Sequence, residues 1–285
     1  MKIGVVSSSS PVCEEALEKG VRFFESAGDE VVFSPHLFDA DRFLAGTDEA
    51  RATELTAFFA DPSVDVIIEA CGGYGSQRIL PLLDYDFIKA HRKPLIGLSD
   101  STAVQNALAQ RSGVVCPSGF LFKDRGISAY PPASLAAFLN GKSFALPVEG
   151  KTDAPVRGKV FGGCLSLFSR LTGTPYMPDC TGAILVLEDV GEEPYAVDRM
   201  LSHLELAGIF DKASAVVFGV FLDCTAKNEA DGTVEDVLAE WTERLRVPVF
   251  KNLPYGHHPE SETVLIGADA VIENGAMTFN AKDKP

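Results

Sequence analysis

The chain has 285 residues, enough for one large or two medium domains, and with 46% hydrophobic and 23% charged residues it reads as an ordinary soluble globular protein with a sizeable core. A formal net charge of −15 argues against nucleic acid and against an anionic membrane surface, both of which would repel it. The leading apolar run, Ile3 to Val6, is too short for a signal-peptide core, and no stretch is long enough to span a bilayer, so the expected location is cytoplasmic.

In chain order, KIGVVS reads as a strand. Ser10 as N-cap and Pro11 at the first helical position predict a helix running to Ala27, with Gly28 beyond it. EVVFS is the second strand, VDVIIEA the third, KPLIGL the fourth and GVVCP the fifth, with helical patterns between them. Short β-branched runs alternating with helices are the signature of a parallel sheet covered on both faces. Such sheets bind ligands at the carboxyl ends of their strands, where Gly72-Gly73-Tyr74-Gly75 and Ser99 both fall. Residues 131–146 form a weak helical pattern and close a first domain, 1–146. The polar, Pro- and Gly-bearing stretch 147–156 reads as a linker. The second domain, 157–285, holds a strand ending LVLEDV, a helix over 195–206, the strand AVVFGVF, the helix VEDVLAEWTERL and a terminal hairpin region in TVLIGADAVIENGAMTFN. None of the six cysteines stands in a C-x-x-C spacing, which points to reduced, mostly buried thiols and no zinc site.

Three features carry chemistry. In KPLIGLSDSTAVQNALAQ, Ser99 sits where a strand turns into a helix. It is either a helix N-cap or a nucleophile held out on a sharp turn, although G-L-S-D-S lacks the full G-x-S-x-G pattern. The Gly-rich turn after the third strand offers backbone N–H groups to an anion or oxyanion, or is simply a tight turn. Glu188 ends the apolar run ILVLE, poised at a strand end or on the surface. Of the five histidines, His36, His91 and His203 lie in polar or helical contexts, whereas His257 and His258 lie in the loop YGHHPES, where His257 is a candidate general base. Neighbouring loop histidines point in opposite directions, which disfavours a metal chelate. Serine, glutamate and histidine then follow the order of a known triad, with the serine in one domain, its partners in the other and the site in the cleft between.

The chain resembles the LD-carboxypeptidase family of serine peptidases, which includes the microcin C self-immunity peptidases. GGYGSQRILPLLDYDFI, KPLIGLSDSTA, FGGCLSLFSRLTGTPYMPD, GAILVLEDVGEEPYAVDRML, VFGVFLDC and LPYGHHPESETVLIG carry the likeness in order, from the first strand to about Gly267. The resemblance implies a flavodoxin- or Rossmann-like parallel-sheet amino-terminal domain, a smaller β-rich carboxy-terminal domain and a homodimer. It implies Ser99 as nucleophile, Glu188 as triad acid and His257 as base, with the Asp100 and Gly73 N–H groups as the oxyanion hole. Gly72, Tyr74 and Arg78 are the substrate-binding candidates; Arg78 would grip a terminal carboxylate, or else pair with Asp84 or Asp86. The implied reaction needs no metal or cofactor and removes the terminal D-Ala of a murein tetrapeptide in cell-wall recycling. The alternatives are an immunity peptidase acting on an aminoacyl nucleotide analogue, which has only Trp241 as a tryptophan to stack a base, and a non-catalytic binding protein on the same scaffold. Two stretches depart from the family's pattern: Cys116-Pro117-Ser118-Gly119 stands in place of His-Gly-Pro, and Ser7 to Pro11 in place of Ala-Pro-Ser.

Overall fold

The computed structural model describes residues 1–123, 126 and 130–280. The first part alternates strand and helix: β1 (Lys2–Val6), α1 (Glu18–Ser26), β2 (Glu30–Phe33), α2 (Asp48–Ala60), β3 (Val66–Glu69), α3 (Ser76–Ile79), α4 (Tyr85–Ala90), β4 (Leu95–Ile96), α5 (Thr102–Ser112), β5 (Cys116–Ser118) and α6 (Ala133–Leu139). Strands β2, β1, β3 and β4 lie in that order and pair in parallel. Gly97 bridges in parallel to Ser118, placing β5 beside β4. The resulting order 2-1-3-4-5 is flavodoxin-like, and its crevice opens where β1 and β3 diverge. β3 is buried along its whole length, as the continuous run VIIE requires.

The second part holds β6 (Phe144–Pro147), β7 (Val156–Cys164), α7 (Leu165–Ser169), β8 (Ile184–Val190), α8 (Pro194–Leu206), β9 (Ala215–Leu222), α9 (Val234–Arg244), β10 (Val249–Phe250), β11 (Val264–Ile266), β12 (Asp269–Glu273) and β13 (Ala276–Phe279). Seven of these strands form one sheet in the order β10-β9-β8-β7-β12-β13-β6. Its β7-to-β10 half is parallel and the remainder antiparallel. The molecule is therefore a parallel α/β unit joined to a mostly β carboxy-terminal unit, as expected.

Three local readings are corrected. The helix expected from Pro11 starts later: a 3-10 turn covers Glu14–Ala16 and α1 begins at Glu18. Ser10 does not cap it, because its hydroxyl accepts the Tyr74 N–H at 3.1 Å instead. The end of the 131–146 segment is not helical, since β6 is the edge strand of the second sheet, paired with β13. The sheets therefore do not divide at residue 146, and in the other direction β11 crosses back to pair with β5.

The two units share a seam around α5, which is buried along most of its length. Asn106 donates to the Gly162 carbonyl (2.7 Å) and accepts the Gly162 N–H (3.0 Å). Thr102 Oγ1 accepts the Cys164 N–H at 3.0 Å. The Ser118 and Tyr255 hydroxyls meet at 2.8 Å, both buried. These bonds fix β7 and the loop after β10 against α5 and β5.

Candidate active site

Ser99 follows β4 with φ +66°, the left-handed region, and opens a 3-10 turn, Ser99–Ser101, that runs into α5. A serine there carries roughly 1–2 kcal/mol of backbone strain. Its flank residues Leu98 and Asp100 are buried while Ser99 itself is partly exposed. Neither that turn nor α5 has a side-chain cap, and among the described residues Ser99 Oγ has no hydrogen-bond partner. The N-cap alternative therefore has no support in the geometry. A strained, unengaged serine at a strand-to-helix turn is the layout of a nucleophile elbow.

Glu188 is fully buried, and its Oε2 lies 2.7 Å from His257 Nδ1, whose side chain is 14% exposed. The pairing of β8 with β9 slips between Leu187 and Asp189, so the bulge falls at Glu188. A bulge of this kind re-aims one side chain out of the regular alternation. Asp189 is bound elsewhere, accepting the Ser166 N–H (2.8 Å) at the start of α7 and the Val190 N–H (2.9 Å). With Nδ1–H given to the carboxylate, the imidazole keeps its lone pair on Nε2. The expected bond from His257 to Ser99 is not made, so only the Glu–His half of the arrangement is formed. Such a serine–imidazole bond is commonly long until substrate binds. His258 is taken up locally, accepting the Glu260 N–H at 3.2 Å.

The Gly-rich turn lies against Ser99. A Cβ on Gly72 would stand 2.9 Å from Ser99 Cβ and 3.2 Å from its Oγ. Gly73 has φ +109°, and a Cβ there would stand 2.1 Å from Ser10 Oγ, so only glycine fits. The Asp100 N–H lies in a first helical turn, where no intrahelical acceptor exists. Tyr74 is 46% exposed and meets the half-exposed Phe43 ring edge-on, centroids 5.6 Å apart. Arg78 does pair with an aspartate, but it is Asp48, through Nε (2.9 Å) and Nη2 (2.8 Å), and not Asp84 or Asp86. Asp84 instead caps α4 by accepting the Phe87 N–H at 2.9 Å.

Sequence reasoning missed the polar layer beneath this turn. Ser8 donates to Glu69 from both its N–H (3.0 Å) and its hydroxyl (2.6 Å). Ser9 Oγ donates to Asp100 Oδ2 at 2.6 Å. Arg51, also buried, donates to the Ser8 and Gly75 carbonyls and to Asp48. Burial pushes the Glu69 carboxyl up to about 7 and the Asp189 carboxyl up to about 6, and it raises Asp100 as well. The available signal was the run Ser7 to Ser10 at the carboxyl end of β1, a place where hydroxyls have backbone and carboxylates to bind. Among the described residues no group of three or more His, Cys, Asp or Glu is arranged to hold a metal ion, and the six cysteines are free, with only Cys13 exposed.

The LD-carboxypeptidase N-terminal domain family matches residues 3–119 and the LD-carboxypeptidase C-terminal domain family matches 157–272. A putative carboxypeptidase of Streptomyces coelicolor is 35% identical over 98% of this chain and 93% of its own length. A murein tetrapeptide carboxypeptidase of Pseudomonas aeruginosa is 30% identical over 98% and 95%. Among solved structures, a muramoyltetrapeptide carboxypeptidase from Oxalobacter formigenes superposes with a TM-score of 0.87 at 28% identity, covering 97% of this chain and 98% of that one. The microcin immunity protein MccF bound to glutamyl sulfamoyl guanosine gives 0.85 at 25% identity, covering 98% and 95%. With both domain families matched in order and relatives aligned over nearly the whole chain, the protein belongs to the LD-carboxypeptidase family and is a serine-type hydrolase of that family.

Proposed function

We propose that the protein releases the carboxy-terminal D-amino acid from murein tetrapeptides, hydrolysing the amide between an L-centre and terminal D-Ala. The observation that supports this reading is the buried Glu188–His257 pair at 2.7 Å together with a strained, unengaged Ser99, the two sides linked through Cys164, which pairs with Glu188 and gives its N–H to Thr102 Oγ1 three residues after Ser99. His257 Nε2 takes the Ser99 proton as Oγ attacks the carbonyl, and Glu188 stabilises the resulting imidazolium. The Asp100 and Gly73 N–H groups hold the oxyanion of the tetrahedral intermediate. His257 then protonates the leaving D-Ala nitrogen, and water, deprotonated by the same imidazole, releases the acyl group. Gly72 leaves room beside Oγ, and Tyr74 with Arg78 lines the substrate's approach. Since Arg78 already shares Asp48, a substrate carboxylate would join that pair rather than meet a free guanidinium. Support for murein peptides comes from relatives named for them, including a probable murein peptide carboxypeptidase of Bacillus subtilis, 31% identical over 97% of this chain.

The immunity reading is weakened by Trp241, which is fully buried with its Nε1 donating to Asp198 at 2.8 Å, so it presents no face to a nucleobase. No helix among the described residues is long and apolar enough to cross a membrane. A homodimer working in the cytoplasm on recycled wall fragments completes the proposal; sedimentation velocity reads the first part.

The deciding experiment offers tetrapeptides ending in D-Ala or L-Ala, and an aminoacyl sulfamoyl nucleoside, to one preparation. Release from the D-Ala peptide alone is the expected result. Release only from the nucleoside would replace the murein reading with the immunity one. Turnover should also survive a chelator, because the attacking group is a side chain, and its loss on metal removal would overturn the mechanism.

A further inference from the structure

The Asp100 side chain has no part in the reaction just described, yet one of its oxygens takes two hydrogen bonds beneath it. The carboxylate is 1% exposed. Its Oδ2 accepts the Ser9 hydroxyl at 2.6 Å and the Ser76 N–H at 2.7 Å, while the Ser76 hydroxyl donates to the Asp100 carbonyl at 2.5 Å. Ser76 is the residue immediately after the Gly72–Gly75 turn. Ser9 is the neighbour of Ser10, whose hydroxyl accepts the Tyr74 N–H at 3.1 Å and whose N–H reaches the Gly72 carbonyl at 3.4 Å. The Gly-rich turn is thus gripped at its far end by Asp100 directly and along its middle through Ser9 and Ser10.

From this we infer that the Asp100 carboxylate is a positioning residue that sets the distance between the two oxyanion donors, its own N–H and that of Gly73. One donor belongs to the residue itself. The other lies in a turn that Arg51 also holds at the Gly75 carbonyl, but whose bonds at Ser76 and, by way of Ser9 and Ser10, at Tyr74 lead back to Oδ2. No other described side chain bonds both the β1 loop and the far end of that turn while belonging to the nucleophile segment. Gly73 cannot hold the turn by side-chain packing, and its left-handed φ of +109° leaves the backbone dependent on these outside bonds. Because hydrogen bonds to an oxyanion act only on the transition state, a loosened donor pair lowers kcat and leaves KM nearly unchanged.

The inference rests on the proposed Ser99 mechanism, and the test separates the two. Wild type is first treated with a fluorophosphonate probe and assayed for D-Ala release from the tetrapeptide. Absence of both label on Ser99 and release removes the mechanism and this inference with it. With wild type active, Asp100→Ala and Asp100→Asn are compared at equal folded concentration. Asp100→Ala should lose on the order of 100-fold in kcat, the cost of misplacing an oxyanion donor, with KM within about threefold. Asp100→Asn keeps an acceptor oxygen for Ser9 and Ser76 and should recover at least about a tenth of the wild-type kcat, a rescue that follows from the Oδ2 bonds. Ser9→Ala, which removes one leg and no charge, should lose roughly tenfold in kcat at unchanged KM, and it decides the matter if Asp100→Ala does not fold. A lowered melting temperature with kcat of the folded Ser9→Ala and Asp100→Asn proteins within twofold of wild type, or a loss confined to KM, overturns the assignment.

Discussion

Glu188→Gln isolates what the buried carboxylate does, because it changes a charge and almost no volume. Glu188 is fully buried, with Oε2 on His257 and Oε1 without a partner. When the imidazole takes the serine proton, a cation forms with its centre about 4 Å from the carboxylate, worth about 4 kcal/mol at an effective dielectric constant of about 20. That is roughly a thousandfold in rate. The amide also offers an N–H that favours the wrong imidazole tautomer, so the full loss in kcat should reach about 10³- to 10⁴-fold. Stability should move the other way. A buried charge with an unsatisfied oxygen is costly to desolvate, and a neutral side chain of the same shape removes that cost. The melting temperature should therefore hold or rise while turnover collapses. The assay couples D-Ala release to a D-amino acid oxidase, with melting followed in the same buffer. A variant that keeps more than a tenth of the wild-type kcat would refute the catalytic role of the Glu188–His257 pair. One that loses activity only in proportion to a lowered melting point would do the same.

Ser99→Gly should abolish turnover yet stabilise the fold by about 1 kcal/mol, since glycine accepts φ +66° without strain; a lowered melting temperature in thermal denaturation would show that the hydroxyl supports the turn after all. Gly73→Ala places a methyl 2.1 Å from Ser10 Oγ, so the turn must shift, and kcat for D-Ala release should fall on the order of 10²-fold or more; steady-state kinetics showing a normal kcat would remove Gly73 from the oxyanion hole. Glu69 has its folded value raised from 4.5 to about 7, so the unfolded chain gives up its proton first, and the stability present below about pH 4.5 is lost as pH climbs to about 7. That loss amounts to up to about 3 kcal/mol, and Glu69→Gln, which cannot ionise, should match wild type near pH 4.5 and melt several degrees higher at pH 8; parallel melting curves across that range would contradict the burial argument.

The parallel sheet was legible because β1 and β3 are short, mostly apolar runs rich in β-branched residues without a polar/apolar alternation, as suits strands covered on both sides. The Ser99 turn was legible as a turn but not as a choice between cap and nucleophile, because that depends on one dihedral and on the absence of local acceptors. Ser10-Pro11 misled for a definable reason. Its local grammar is that of a helix start, and a partner more than sixty residues away, the Tyr74 N–H, took the hydroxyl instead. β6 was misread for the same kind of reason, since FALP carries no alternation of its own and becomes a strand by pairing with β13. Arg78 was matched to nearby aspartates when its partner sat on α2, thirty residues earlier. Glu188 was read as a strand end, but the bulge at that position is a property of the β8–β9 pairing and leaves no mark on either strand alone. Glu69 and Asp100, flanked by apolar or hydroxyl residues, gave no sign in the sequence of the serines that would meet them.

The proposed reacting groups come from opposite sides of the seam where Tyr255 meets Ser118 and β11 pairs with β5. This has a consequence for the order of events in making the protein. Ser99 is synthesised long before residues 188 and 257, so on the proposed mechanism a nascent chain would carry the serine with nothing to ionise it. On that mechanism, hydrolytic power would switch on only when the late segments dock. Heating should run the sequence backwards. Slippage at the seam separates histidine from serine while both sheets remain folded, so activity should fade at a lower temperature than the loss of secondary structure.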